Sequence, residues 1–220
     1  MPDARLRHSA AAIGTKLYII GGRSGADALV TTVTVFDTAA GTWSTSTTTL
    51  TALQSTSDAC SWTMGLDIYV AGGYTADYTA KADVMKWSPT TGATTFVAAA
   101  SLAEKRGDCV AVVRHDHTTA WVIGGYTSDD WTQAVSHVEA FDVTTGTTGA
   151  WTTKASTSSP RGDKAAVFFN DAIYAIGGEK KDGATTVVHD TIEAYDAVSN
   201  TWTEITTSKL PSPRFRYAAA

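Results

Sequence analysis

Two pairs of residues have side chains that could do chemistry together. His115 and His117 stand two residues apart in RHDHTT and could supply imidazole nitrogens to a metal ion. Glu139 and Glu193 could act as an acid–base pair, since one carboxyl group can donate a proton while another accepts one. The surrounding pattern instead favours a solvated loop for the histidines and solvent-facing strand positions for the glutamates. The sequence therefore predicts no catalytic residue, no metal and no cofactor.

The tripeptide Arg-Gly-Asp also invites a functional interpretation, as an adhesion motif. It occurs at 106–108 and again at 161–163, so the copies are 55 residues apart. Both copies fall at the same position of a longer repeated unit, directly before a strand rich in small residues. Repeat geometry therefore explains the two copies. An adhesion ligand, which needs an exposed flexible loop, is not expected.

The repeated unit is marked by four double glycines, each preceded by an aromatic and two apolar residues. The sequences are YIIGG at 18–22, YVAGG at 69–73, WVIGG at 121–125 and YAIGG at 174–178. Their spacing is close to 50 residues, a period typical of propellers and solenoids. Glycine at the end of a strand permits backbone conformations that other residues avoid, and it lets a neighbouring aromatic ring pack closely.

Three further strands complete each unit. Upstream of the glycines lies a strand rich in Ala, Val and Ser, and downstream two strands are joined by a tight turn containing Gly or Asn. Aromatic residues mark the two downstream strands, at Phe36, Trp87, Phe141 and Tyr195 in the first and at Trp43, Phe96, Trp151 and Trp202 in the second. β-Branched residues dominate, and no segment has helical periodicity with caps. Each unit is therefore predicted to be a four-stranded sheet, a–b–c–d, that needs neighbours to cover its faces.

Composition limits the classes of function. The chain has 220 residues, 43% of them hydrophobic, and a net charge of −5. This acidity argues against nucleic acid as a partner, because phosphate binding requires a basic surface. No apolar run approaches the ~20 residues needed to cross a bilayer, so membrane insertion is not expected. Cys60 and Cys109 do not make a disulfide framework, which favours a reducing compartment such as the cytoplasm.

In these features the sequence resembles the kelch family of β-propellers. The motifs that carry the resemblance are the double glycines, the segments VFDTAAGTW, AFDVTTGTTGAW and AYDAVSNTW, and the sequences PDAR, EKRGD, SPRGD and SPRFR before strand a. The resemblance covers the whole chain. The second repeat departs most, with Thr56 in place of Arg, Ser88 in place of Asp and Phe96 in place of Trp. The resemblance implies an all-β propeller with four four-stranded antiparallel blades.

The blades are predicted at approximately 4–50, 51–101, 102–156 and 157–210, followed at 211–220 by the opening strand of a further blade. The last residues, LPSPRFRYAAA, match the first, MPDARLRHSAAA, so that Arg214 and Arg216 correspond to Arg5 and Arg7. Two arrangements are open. Kelch rings usually have six or seven blades, which favours a chain that forms part of a larger ring, since an unpaired strand leaves an exposed edge. Alternatively, the extra strand closes a ring of four.

Kelch-like proteins bind partners on the face formed by the d–a and b–c connections, and the resemblance implies the same face here. Some of its residues lie two positions after the Arg position of strand a, and others directly follow the double glycines. Trp131 is added as an exposed aromatic anchor on a long b–c segment. The predicted partner-binding residues are Arg7, Arg23, Asp58, Tyr74, Asp108, Tyr126, Trp131, Asp163, Glu179 and Arg216. Ion pairs that seal the ring are an equal alternative for Arg5, Arg106, Arg161 and Arg214.

This face favours a scaffold or interaction module that binds a protein or peptide and has no enzymatic activity. One alternative is a sugar-acting enzyme similar to kelch-type mutarotases, which need only a few Arg, Glu and aromatic groups. Another is a structural subunit of a larger assembly. A copper-radical site similar to that of galactose oxidase is not expected, because the five histidines are scattered and neither cysteine has a flanking Tyr.

Overall fold

The computed structural model describes residues 1–51, 54–128, 131–146 and 148–219. These residues form eighteen β-strands and one short 3₁₀ turn, Pro89–Thr91, so the predicted all-β class is confirmed. Four sheets of four antiparallel strands follow one another along the chain, and the strands of each sheet lie in sequence order. None of the described segments forms a helix long and apolar enough to cross a bilayer.

Each four-stranded sheet lies within one repeat and forms one blade. Blade 1 consists of β1 (Ser9–Ile13), β2 (Lys16–Ile20), β3 (Thr32–Asp37) and β4 (Thr42–Thr49). Blade 2 consists of β5 (Cys60–Met64), β6 (Asp67–Ala71), β7 (Val84–Trp87) and β8 (Val97–Ala98). Blade 3 consists of β9 (Val110–Val113), β10 (Thr119–Ile123), β11 (Val138–Asp142) and β12 (Ala150–Lys154). Blade 4 consists of β13 (Ala165–Phe169), β14 (Ala172–Ile176), β17 (Ile192–Asp196) and β18 (Thr201–Glu204), and its b–c connection adds a separate hairpin, β15 (Glu179–Asp182) and β16 (Thr185–Val188).

The hydrophobic core lies between neighbouring blades. Three clusters of buried side chains draw their members from blades 1 and 2, 2 and 3, and 3 and 4. Aromatic pairs cross the three interfaces, with ring centroids 5.3 Å apart for Tyr18–Trp87, 6.0 Å for Trp62–Phe141 and 5.9 Å for Trp121–Phe168. Each sheet thus buries its faces against the next one, which is how a repeat without a core of its own becomes stable.

The double glycines end strand b where the backbones of two blades approach closely. Gly72 has a φ of +65°, and a Cβ atom there would lie 2.2 Å from the carbonyl oxygen of Arg106 in the next blade. The amide N–H of Gly73 donates to that same oxygen at 2.8 Å. A side chain at Gly72 would therefore clash with this junction and strain its own backbone, which explains the glycine.

Residues 211–219 continue the repeat without forming a regular strand. The amide of Gly178 donates to the carbonyl oxygen of Arg214 at 2.9 Å, just as that of Gly73 donates to Arg106. The segment therefore takes the place that the start of strand a takes in the preceding blades. Its assignment as the opening strand of a further blade, and the number of blades in the ring, stay predictions.

The glutamates of strand c do not face solvent, and the expectation that they do is wrong. Glu139 and Glu193 are buried, at 2% and 1% exposure. Glu139 forms an ion pair with Arg106, and Glu193 with Arg161. The second oxygen of each carboxylate accepts a backbone N–H at 2.7 Å from the segment that precedes strand a. Each pair thus fastens the entrance of a blade to its own strand c.

The two remaining arginines of this position differ from each other. Arg5 is buried and donates to the carbonyl oxygen of Thr32 and the hydroxyl of Thr34, both at 2.9 Å, so it also fastens its own blade. Arg214 is exposed and contacts the hydroxyl of Ser212 at 3.0 Å. The three buried arginines therefore have a structural role, and the main partners of each arginine lie within its own blade.

A disulfide joins Cys60 and Cys109, whose Cα atoms are 5.6 Å apart. Cys60 lies on β5 of blade 2, and Cys109 directly precedes β9 of blade 3. The bond therefore crosslinks the first strands of adjacent blades. The sequence interpretation set these cysteines aside because two do not make a framework. Their separation of 49 residues, about one repeat, is the signal that places them side by side.

Candidate binding face

Five residues at the start of strand a form a continuous row across the blades, which we call the axial ladder. Its members are Arg7, Asp58, Asp108, Asp163 and Arg216, and all five have a φ between 52° and 57°. The backbone N–H of each of the last four donates to the carbonyl oxygen of the equivalent residue in the preceding repeat, at 2.9, 2.8, 3.0 and 3.0 Å in chain order. The left-handed conformation is unusual for Arg and less so for Asp. The ladder therefore aligns five charged side chains.

The side chains of the ladder place three carboxyl groups between two guanidinium groups. Arg7 lies 3.6 Å from Asp58 at one end, and Arg216 lies 3.3 Å from Asp163 at the other. Asp108 stands between the two pairs. Burial raises the pKa of Asp108 well above its usual range, and the charges of Asp163 and Asp58 raise it further. Burial likewise raises the pKa of Asp58 against the opposing effect of Arg7, and that of Asp163 against Arg216.

Trp131 reaches over the ladder from the b–c connection of blade 3. Its indole N–H donates to Asp108 at 3.2 Å. The guanidinium carbons of Arg7 and Arg216 lie 5.5 and 5.8 Å from its ring centroid, within the range of cation–π attraction. Trp131 and the five ladder residues line one cavity of about 530 Å³. Six of the ten predicted binding residues are therefore brought together, and we call this space the axial cavity.

A second cavity of about 400 Å³ adjoins the first and shares Trp131 and Arg216 with it. Tyr126 and Glu179, two more of the predicted residues, lie in its wall. Tyr126 is fully buried and donates its hydroxyl to the carbonyl oxygen of Glu179 at 2.7 Å. The carboxylate of Glu179 lies 3.6 Å from Arg216. The other wall is formed by the β15–β16 hairpin and Phe215, and we call this space the hairpin groove.

The last two predicted residues, Arg23 and Tyr74, lie beneath this surface. Arg23 is 1% exposed, donates to the carbonyl oxygen of Thr75 at 2.6 Å and lies 3.6 Å from the ring centroid of Tyr78. Tyr74 is also 1% exposed and donates its hydroxyl to Asp108 at 3.1 Å. Burial is the main reason that the pKa of Tyr74 is raised. Both residues support the face from within.

Sequence reasoning missed two aromatic residues of this face. Tyr78 has its ring centroid 5.7 Å from the guanidinium carbon of Arg7 and donates its hydroxyl to Asp27 at 2.7 Å. Phe215 is 37% exposed in the wall of the hairpin groove. The available signal for Tyr78 was its place on a b–c segment equivalent to that of Trp131. Phe215 could have been found as the neighbour of Arg216.

The histidine pair lies elsewhere. His115 and His117 are exposed in the turn between β9 and β10, at the opposite end of the blade. His115 contacts the ring of Phe168 edge-on at 5.0 Å. Among the described residues, no three His, Cys, Asp or Glu side chains are arranged to hold a metal ion.

Three comparisons place this architecture among known proteins. Kelch-like protein 25 of Xenopus tropicalis is 28% identical over 210 residues, which is 93% of this chain and 33% of that protein. The chain thus spans about a third of the length of this curated relative. The structure titled "Structure of YjhT" superposes with a TM-score of 0.83, covering 97% of this chain and 73% of the other, at 16% identity. At that identity the likeness concerns the fold alone. The Attractin/LZTR1 beta-propeller family matches residues 1–220, and together with the four blades and the kelch-like relative this shows that the chain belongs to that family of kelch-repeat β-propellers.

Proposed function

We propose that the chain is a protein-interaction module that binds a protein or peptide through the face formed by the d–a and b–c connections. The observation that carries the proposal is the pair of adjoining cavities that share Trp131 and Arg216. An aromatic ring flanked by guanidinium groups offers both apolar area and hydrogen-bond donors. Trp, Tyr and Arg are the residues that contribute most to binding at protein interfaces.

The layer beneath the face supports the same function. Trp131 is held by its hydrogen bond to Asp108 and by contacts with the guanidinium groups of Arg7 and Arg216. Asp108 is in turn held by Tyr74. Because these side chains are fixed before a partner arrives, binding costs less conformational entropy than it would at a loose loop.

The test is a selection of binding peptides followed by single substitutions. Peptides selected from a random phage-displayed library on the purified chain are measured by calorimetry. Trp131→Ala is expected to raise their Kd at least about tenfold, because it removes the shared wall of both cavities. Phe169→Ala is the matched control, since Phe169 is 59% exposed and ends β13 on the opposite face. Selected peptides that bind Trp131→Ala as tightly as the wild type, or a library that yields no binder, would contradict the proposal.

A small polar molecule is a second candidate ligand, with an enzymatic role as its extension. The axial cavity favours it, because three carboxyl groups of raised pKa and two arginines meet in about 530 Å³. Cavities of about 300–1,000 Å³ with perturbed titratable groups are common small-molecule sites. Monosaccharides and amino sugars screened by thermal shift would test this candidate. A stabilising sugar should lose its effect in Asp108→Asn, and sugars without effect would leave the peptide ligand as the remaining candidate.

A further inference from the structure

Blade 4 has an element that the other described b–c connections lack. Its connection folds into the hairpin of β15 and β16, whereas the described parts of the other three contain no regular strand. Glu179, the first residue of β15, also forms an antiparallel bridge with Gly162, which precedes strand a of the same blade. Among the strands of the described residues, β16 pairs only with β15, so its other edge faces away from the hairpin. The hairpin therefore ends in a strand with one unpaired side.

The register shows which backbone groups of β16 are unpaired. Lys180 lies opposite Val187, and the amide of His189 donates to the carbonyl oxygen of Gly178 at 2.9 Å. In an antiparallel pair, hydrogen-bonded positions alternate with positions whose N–H and C=O groups point outward. Val187 therefore bonds to β15, and the backbone groups of Thr186 and Val188 point to the open side.

This edge lacks the usual protection of exposed strands. Edge strands normally carry a charged residue, a proline or a bulge that prevents another strand from pairing with them. β16 reads TTVV, with four β-branched residues and none of these devices. Thr185 and Thr186 are exposed, and the register with β15 is regular. The edge is thus suited to receive a further strand.

The charge around the edge indicates what that strand carries. Lys181 and Thr186 lie opposite each other on the hairpin and line the hairpin groove together with Lys180. The charge of Lys181 is the one that faces the groove, since the side chain of Lys180 projects from the other face of β15. Arg216 adds a second positive charge, and Glu179, the acidic residue of the groove wall, is already paired with it. The groove wall is therefore net positive. Its apolar surface comes from Trp131, Val188 and Phe215.

We propose that β16 is a docking edge that receives an extended acidic segment of a partner protein as a third strand of the hairpin. Alternate side chains of that segment point into the hairpin groove, where apolar residues meet Trp131 and Phe215 and carboxylates meet Lys181. This inference rests on the proposed interaction function and specifies how the partner binds. A second copy of the chain is disfavoured as occupant, because pairing of two such edges would bring two positive grooves together.

The test uses the purified chain and a synthetic ten-residue peptide in which every second position is Glu or an apolar residue (Val, Leu or Phe) in turn, with Thr between them, so that one face of the extended peptide carries both kinds of side chain. The control peptide carries Lys in place of each Glu. Amide hydrogen exchange is expected to show that the acidic peptide, but not the control, protects the amides of Thr186 and Val188. Protection confined to other segments would overturn the docking edge, and this measurement requires no variant.

Two substitutions of Thr186 distinguish the contribution of its backbone N–H to peptide binding from that of its side chain. Thr186→Pro removes an outward N–H and leaves the hydrogen bonds of Thr185 and Val187 to β15 intact, so the Kd for the acidic peptide should rise about tenfold. Thr186→Ala, the matched control, keeps the N–H and should change the Kd less than about threefold. Lys181→Glu should raise the Kd for the acidic peptide and should not raise the Kd for the control peptide.

Several further outcomes would overturn the proposal. The first is equal binding by Thr186→Pro and Thr186→Ala, and the second is equal binding of the acidic and basic peptides. The third is self-association that Thr186→Pro abolishes, seen by sedimentation, which would assign the edge to a second copy. If library-selected peptides depend on Trp131 while the β16 variants bind them normally, the docking edge is wrong and the interaction function stands. If no peptide binds at all, both are wrong.

Discussion

Blades 2 and 3 are built on the same repeat but are fastened in different ways. In blade 3, the buried ion pair of Arg106 and Glu139 ties the entrance of the blade to strand c. In blade 2, the same two positions hold Thr56 and Met85. Thr56 donates its hydroxyl to the carbonyl oxygen of Gly72 at 2.9 Å, and Met85 belongs to the apolar cluster between blades 1 and 2. The cation and the anion are thus replaced together.

This joint replacement indicates that the cation of blade 3 depends on its anion. In blade 1, by contrast, Arg5 stays while Thr34 holds the glutamate position, and the guanidinium is satisfied by Thr32, Thr34 and Asp3. A buried charge without its partner is strongly unfavourable, whereas a neutral, well-packed pair is often as stable as the ion pair it replaces. Blade 2 is also the blade whose strand d, β8, has only two residues. The disulfide to Cys109 gives this blade a covalent attachment to its neighbour.

The largest effect is expected from breaking the ion pair of blade 3 on one side. Glu139→Met should lower the free energy of unfolding by about 3–5 kcal/mol, because Arg106 stays buried without its partner. Adding Arg106→Thr reproduces the combination found in blade 2 and should recover most of that loss. Urea denaturation of the wild type, both single variants and the double variant measures the coupling. A double variant that loses the sum of the two single losses would contradict the dependence of the cation on its anion.

The next largest effect concerns the crosslink between these two blades. Replacing both Cys60 and Cys109 with Ser should lower the free energy of unfolding by about 2–4 kcal/mol, because the unfolded chain gains freedom. Adding a reductant to the wild type should give the same loss, and the variant should not respond to it. Denaturation curves with and without reductant provide the measurement. A wild type that is insensitive to reduction, with free thiols detected by mass, would contradict a stabilising disulfide.

A smaller effect compares two glycines of blade 2 that both have positive φ. Gly72→Ala should cost about 2–3 kcal/mol, because the new Cβ meets the carbonyl oxygen of Arg106 in addition to the backbone strain. Gly92→Ala should cost only about 1 kcal/mol, since a Cβ there has no neighbour within 4 Å. Thermal unfolding of both variants measures the difference. Equal losses would show that the close approach of blades 2 and 3 contributes nothing.

The smallest effect extends the comparison to blade 4. Lys164 directly precedes strand a and is 5% exposed, while Ala59 and Cys109 hold this position in blades 2 and 3. Burial, helped by the charge of Arg161, lowers the pKa of Lys164 to about 7. The folded state therefore binds fewer protons than the unfolded state between about pH 7 and 10, and stability rises with pH in that window.

Lys164→Met should remove this dependence and stabilise the chain by about 1–2 kcal/mol at neutral pH, where the folded state otherwise accommodates a buried ammonium. Urea denaturation at pH 7 and at pH 9.5 measures both effects. The gain of the variant over the wild type should be larger at pH 7 than at pH 9.5. A gain that is the same at both values would show that the lysine does not titrate in this range.

The repeated architecture could be predicted from sequence because its signals are local and recur in register. The double glycine at 72–73 ends strand b, and the aromatic at Trp87 ends strand c, as expected. The burial of Glu139 could not be predicted in the same way. Strand alternation assigns its side chain to one face of the sheet. That face is covered by the segment before strand a, whose backbone is irregular and whose path cannot be read from the sequence. The joint absence of Arg and Glu in repeat 2 was the available clue.

The candidate face was predicted in part. Trp131 and the five ladder positions were found from their place in the repeat, and the structure brings them together. Their left-handed backbone was not predictable, because neither Arg nor Asp requires it and the hydrogen bonds that accompany it are made to the neighbouring repeats. Arg23 and Tyr74 were expected at the surface, since sequence gives the position after the glycines but not the depth of the side chain.

The axial ladder has one further consequence. Every link in it uses a donor from one repeat and an acceptor from the repeat before, with the same geometry at each joint. Each of these hydrogen bonds involves two adjacent repeats and no other part of the chain, so it can form between any two neighbouring repeats. Duplication or loss of a whole repeat therefore preserves the connection, and the length of such an array is free to vary during evolution while each junction stays the same.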